Sequence, residues 1–268
     1  MKTLTNSVFL GPTIVLFGLF FILPMGMLVI SSFSGADGFT LENYLQILVN
    51  PRYSRALFSS FVLSVVITAV TLVISGVVAF FLARVNFAGK NLFMTLIAFP
   101  ASLPGVVVGF MIIILFGNTG VIPMFTRLLS GYALGSFAYT IWGIFFAYLY
   151  FMIPKIVMTI YGSVVEFDVR LEEAARTVGA NEQQAIFYVV IPTLVPVLVS
   201  AAAISFYTSM GAFGTAFTLA NQFEILPIVM YTDFTLNFKI GSASAIAIVI
   251  GVICVALNML SRMLLERE

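Results

Sequence analysis

The sequence predicts an all-α polytopic membrane protein with six transmembrane helices. Three observations predict it. Of 268 residues, 61% are apolar and 9% are charged, against roughly 25% charged in ordinary soluble domains. A soluble protein of 29.2 kDa could not bury that much apolar surface, and the same composition excludes disorder. The apolar residues fall in six long blocks, each sufficient for the roughly 20 residues that cross a bilayer. The charges collect between the blocks, in one segment above all.

The blocks run 8–32, 56–83, 92–116, 134–160, 191–220 and 240–261, within a single transmembrane domain covering 1–268. The first is too long for a cleavable signal and is closed by no small-residue cleavage site, so it reads as an anchor and structural helix. The third contains Pro100–Gly109, with two prolines and two glycines. Gly105 and Gly109 form a Gly-xxx-Gly pair that reads as close helix packing, with a cavity lining as the alternative. The fourth holds Lys155, read as lying near the cytoplasmic end with its stem reaching to the interface. Pro192 and Pro196 open the fifth, which allows a shorter span there.

Orientation follows from Lys and Arg. Lys2, Arg84, Lys90, Arg170, Arg176, Arg262 and Arg267 fall on one side; Arg52, Arg55, Arg127 and Lys239 fall on the other. The excess places both termini in the cytoplasm, in agreement with an even number of spans. The longest outer loop, Asp37–Arg55, reads as partly helical, with Leu41, Tyr44, Leu45 and Leu48 on one face. An interfacial helix and a partner-docking element both fit it.

Absences narrow the chemistry. The chain has no His, which removes His bases, zinc sites of the H-E-x-x-H kind and His haem ligands. Its one cysteine, Cys254, allows no internal disulfide. A net charge of +1 makes no electrostatic case for nucleic acid. The only Gly-Lys pair, Gly89-Lys90, is followed by Asn91, and Arg84 stands where a Walker A loop needs its first glycine. Any nucleotide site therefore belongs to another polypeptide.

The segment 162–191 carries seven of the 23 charges: Glu166, Asp168, Arg170, Glu172, Glu173, Arg176 and Glu182. Asp168 is a fitting N-cap, and Glu172 and Glu173 then lie in the first helical turn, where the dipole favours them. Leu171, Ala174, Ala175 and Val178 share a face. Gly179 ends that helix, and Asn181 with Gln184 makes a capping box for the next. The expected shape is helix, glycine turn, helix, lying outside the bilayer. A docking surface and a solvated connector are both consistent with it.

Glu173-Ala174-Ala175, then Gly179 after three residues, then Val189-Val190-Ile191-Pro192, resembles the EAA loop of bacterial ABC importer permeases. That pattern is Glu-Ala-Ala, three residues, Gly, nine residues, Ile, any residue, Leu, Pro. Val189 and Ile191 replace its Ile and Leu. The resemblance implies a type I ABC importer permease (MetI-like) fold, with 162–190 as a coupling loop seated in a cytoplasmic ATPase. Leu171, Glu173, Ala174, Ala175, Arg176 and Gly179 are the implied contact residues. It further implies two ATP-binding subunits that carry ATP and Mg, a second permease subunit, identical or sister, and an extracytoplasmic binding protein. This chain would hold no cofactor and no metal, would not be an enzyme, and would sit in the bacterial inner membrane among lipid.

A second stretch, Ser205–Asn221, is unusually polar for a span. Hydroxyls that bond their own helix are the plain reading. Yet Ser209-Met210-Gly211-Ala212-Phe213-Gly214-Thr215 is similar to the gate segment of importers for sulfate, molybdate and iron, Ser-Leu-Gly-Glu-Phe-Gly-Ala-Thr, with Ala212 in place of the acid. Ser205, Thr208, Ser209, Met210, Phe213 and Thr215 are thereby candidates for the path. The missing carboxylate weakens a polyamine importer, which stays as an alternative. A self-contained secondary transporter is the other alternative, and a channel is left open by composition. The expected solute is a small polar one, with phosphonate, another small anion or ferric iron preferred. Glu224–Asp233 is read as outer loop, either meeting the binding protein or simply solvated.

Overall fold

The computed structural model describes residues 2–35, 38–220 and 223–265. Asp37, Asn221 and Arg267, invoked above, lie outside the described residues. Among the described residues six helical stretches are long and apolar enough to cross a membrane: Leu10–Ser32, Pro51–Arg84, Gly105–Ser130, Ile141–Glu166, Glu182–Met210 and Ile240–Met263.

The first stretch joins α1 (Lys2–Phe17) to α2 (Leu23–Ser32) through a wider π turn at Gly18–Ile22. It touches α14 through α2, and side chains such as Phe20 and Ile30 are exposed on it. A two-residue hairpin, β1 (Ser34–Gly35) with β2 (Gly38–Phe39), pairs Ser34 with Phe39. It leads to α3 (Glu42–Val49). The expected apolar face of this helix divides. Ile47 is buried and the Tyr44 hydroxyl meets Ser32 Oγ at 2.7 Å, while Leu41, Leu45 and Leu48 point outward.

The bundle is organised around α4 (Pro51–Arg84), capped by Asn50, whose side chain accepts from the Arg52 amide. Ser60, Ser64, Thr68, Thr71 and Ser75 recur along its buried side. Small residues of this kind let helices approach closely in lipid, and α8 (Ile141–Glu166) and α11 (Ile191–Met210) pack there. At the far end α14 (Ile240–Leu265) closes the bundle against α13 (Leu226–Thr235) and α11.

Three expected spans have different limits. The block 134–160 is helical only from Ile141 and runs on to Glu166. The block 92–116 is not one helix. It holds α5 (Lys90–Ala98), a 3-10 turn at Phe99–Ser102, an extended Leu103, and α6 (Gly105–Phe116), which is followed by α7 (Val121–Ser130). Pro104 forces the break, because a residue before proline is pushed out of the helical region. The block 191–220 begins earlier, at α10 (Glu182–Ala185), and passes through a π turn at Ile186–Val190 into α11. That wider turn accommodates Pro192, which has no N–H to donate. The span stops at Met210, and α12 (Gly214–Leu219) is a separate short helix lying on α6.

Candidate functional site

The segment 162–190 folds as its caps dictate. Asp168 Oδ1 accepts from the Arg170 amide at 3.0 Å and opens α9 (Val169–Thr177). Gly179 closes it at φ +96°, a conformation that costs a residue with a Cβ. The Ala180 amide then reaches back to Ala175 O at 3.1 Å. Asn181 and Gln184 form a complete capping box, each side chain accepting from the other's backbone at 2.8–2.9 Å.

One side of α9 is fastened to the bundle. Glu172 is 6% exposed, and its two oxygens accept from Arg84 Nη2 at 2.7 Å and Arg176 Nη2 at 2.9 Å. The Arg84 guanidinium also lies over the rings of Phe80 and Phe167. The end of α4 is thereby joined to the loop through one carboxylate. Sequence reasoning gave Glu172 no role beyond the dipole. The signals available were its i,i+4 spacing to Arg176 and the position of Arg84 at a helix end.

The other side of α9 is open. Leu171, Glu173, Ala174 and Arg176 are exposed, Ala175 is half-buried, and Val178 is 86% exposed. Nothing lies within 4 Å of where a Cβ on Gly179 would stand. The apolar face expected from Leu171, Ala174 and Val178 therefore points away from the chain's own core. Phe187 and Tyr188 extend this exposed surface along the sequence.

The second candidate region divides. Ser205, Ser209 and Met210 are buried. Met210 sulfur accepts from Ser64 Oγ at 3.8 Å, while the Ser205 and Ser209 hydroxyls find no partner among the described residues. Thr208 is half-buried and, with Thr215, lines an open cleft of about 510 Å³ bounded by Gly105, Phe151, Tyr207 and Ala212. Thr215 itself is 1% exposed and donates to Gly105 O at 3.0 Å. Phe213 turns to the Phe217 and Tyr231 rings. Of the six residues singled out, Thr208 and Thr215 thus line this cleft, and Phe213 lines a separate pocket with Leu28 and Phe234. Gly105 and Gly109 serve packing: a Cβ on Gly105 would stand 2.8 Å from Thr215 Oγ1, and one on Gly109 would overlap Thr218 Oγ1. Tyr148, which sequence reasoning missed, covers the cleft's flank by donating its hydroxyl to Ala212 O at 2.6 Å.

Of Glu224–Asp233, read as outer loop that meets a binding protein or is solvated, Glu224 is exposed and outside any helix, but residues 226–233 are helical. Asp233 belongs to α13 and is fully buried. It accepts from Tyr53 Oη at 2.6 Å and Asn237 Nδ2 at 2.9 Å, with Arg52 Nη1 at 3.5 Å. Arg52 in turn grips Glu224 through Nε and Nη2. This network ties α13 to the start of α4.

A six-span bundle with an outward EAA helix and a cleft beside a broken span defines the class of inner-membrane transport permeases. The chain belongs to the family of binding-protein-dependent transport system inner membrane components, whose model matches residues 75–267. It is 30% identical over 249 residues to the sulfate transport system permease protein CysT of Escherichia coli K12, covering 90% of this chain and 85% of that one. It is 31% identical over 159 residues to the molybdenum transport system permease protein ModB of Haemophilus influenzae, covering 58% of this chain and 68% of ModB. A chain in the crystal structure of a bacterial ABC transporter that imports the acidic polysaccharide alginate superposes with a TM-score of 0.83 at 16% identity, over 98% of this chain and 96% of that one. The fold is that of the type I ABC importer permeases, the MetI-like fold expected from the EAA resemblance. The relatives are transport permeases and not enzymes.

Proposed function

We propose that this chain forms half of the translocation path of an ATP-driven importer and takes its drive through 162–190. The observation that carries the reading is the division of α9. Glu172 holds one side to the bundle, and Leu171, Glu173, Ala174, Ala175, Arg176 and Gly179 lie on or beside the free side. A push on that surface reaches α4 through the Glu172–Arg84 pair and α11 through the continuous run from α10. In this reading two ATPase subunits bind ATP and Mg, a second permease subunit faces the cleft, and a binding protein delivers the solute. Both termini and the 162–190 loop lie in the cytoplasm.

The solute we favour is a small anion, phosphonate among them, ahead of ferric iron. The stretch 205–220 holds no carboxylate that would favour a polycation, and sulfate is the solute in the name of one relative. The test is co-purification with a candidate ABC ATPase. Glu173→Lys and Gly179→Leu should abolish it while membrane insertion survives. Wild-type complex formation in both variants would overturn the reading.

A further inference from the structure

Every charged residue in the six spanning stretches sits near a span end except Lys155. Helix α8 has 26 residues, a length of about 39 Å against a hydrocarbon core of about 30 Å. Lys155 lies 14 positions from Ile141 and 11 from Glu166, close to the middle of the span. Its Cα–Cβ bond tilts toward the helix N-terminus, away from the nearer, 162–190 end. At that end the Lys90 ammonium already stands over Tyr161, six positions further on. The tilt of Lys155 directs its side chain along α8 toward the cleft.

The side chain is exposed, and no hydrogen bond or ion pair joins it to another described residue. A charge at mid-span is costly in lipid and is ordinarily found facing water or an opposite charge. The face of α8 that carries Lys155 leads up to the cleft. Tyr148 is covered by Ala212, Phe151 one turn below it lines the 510 Å³ cleft, and Lys155 follows one turn below that. Met158 and Thr159 continue the uncovered stripe.

We propose that Lys155 lines the water-filled path where it continues below the cleft and gives it a positive charge that favours anionic solutes. The inference rests on the permease reading and names the residue that sets the charge preference of its path. The full-length chain, with Cys254→Ala and Met158→Cys, is assembled with its ATPase in phosphatidylcholine nanodiscs. The thiol is then treated with an anionic and a cationic methanethiosulfonate reagent. Both should react. The ratio of anionic to cationic rate should fall roughly three- to tenfold with Lys155→Met or Lys155→Gln and be kept by Lys155→Arg. A thiol that neither reagent reaches, or a ratio unchanged by both neutral substitutions, would overturn the proposal. The labelling is repeated on the chain alone, so that failure of the ATPase to co-purify would defeat the permease reading and leave the labelling result standing.

Discussion

Glu172 accepts from Arg84 at 2.7 Å and from Arg176 at 2.9 Å, so a single buried carboxylate joins the exposed helix α9 to the last residue of the longest spanning helix. Glu173, its neighbour, is exposed. The two glutamates therefore separate by experiment. Glu172→Gln leaves two guanidinium groups facing one neutral amide and should cost about 2 kcal/mol, read as a lower melting midpoint in detergent. Glu173→Gln should leave the midpoint unchanged and weaken ATPase binding. Equal midpoints for both variants would contradict the assignment.

Gly179 is a backbone requirement and a surface requirement at once. Its φ of +96° disfavours any side chain, and among the described residues nothing lies within 4 Å of where a Cβ would stand. Gly179→Ala should cost about 1–2 kcal/mol from the backbone alone. Gly179→Asn, which tolerates the left-handed region better, should cost less in the melt yet still lower ATPase affinity, because its side chain projects where the partner would sit. A titration of ATPase against both variants checks this.

Gly109 meets Thr218 so closely that a methyl group does not fit. Gly109→Ala should destabilise the chain by about 1–3 kcal/mol. Removing the hydroxyl and methyl with Thr218→Ala should restore part of that loss in the double variant. A double-mutant melt with purely additive losses would show that α6 and α12 do not touch there.

At the opposite end of the bundle, Asp233 and Glu224 share Arg52 but differ in burial. Asp233→Ala strands the hydroxyl of Tyr53 and the amide of Asn237, and should cost about 3 kcal/mol. Glu224→Ala removes a partner that is 43% exposed, opposite an arginine 34% exposed, and should cost less than about 1 kcal/mol. Proteolysis of the α13 region compares the two directly.

Local chemistry was readable along the chain wherever caps and spacing decide it. Asp168, Gly179, Asn181 and Gln184 act where their side chains and backbone preferences place them. Span limits were less readable, because Pro104 breaks a helix whose apolar run continues across it, whereas Pro192 is absorbed by a π turn. Contacts between distant segments were not readable at all. Nothing in the order of residues pairs Arg84 with Glu172, Tyr53 with Asp233, or Tyr148 with Ala212. The same limit explains why Ser205 and Ser209, polar and in a gate-like motif, turn toward the core. The hydroxyl stripe of α4 that meets their helix lies well over 100 positions earlier in the chain.

The most direct measurement of the central claim is solute uptake into proteoliposomes holding this chain, its ATPase and its binding protein, loaded with that protein's ligand. Uptake should require ATP and should fall at least tenfold with Glu173→Lys or Gly179→Leu. Uptake that persists without any ATPase, driven by an ion gradient, would contradict the account.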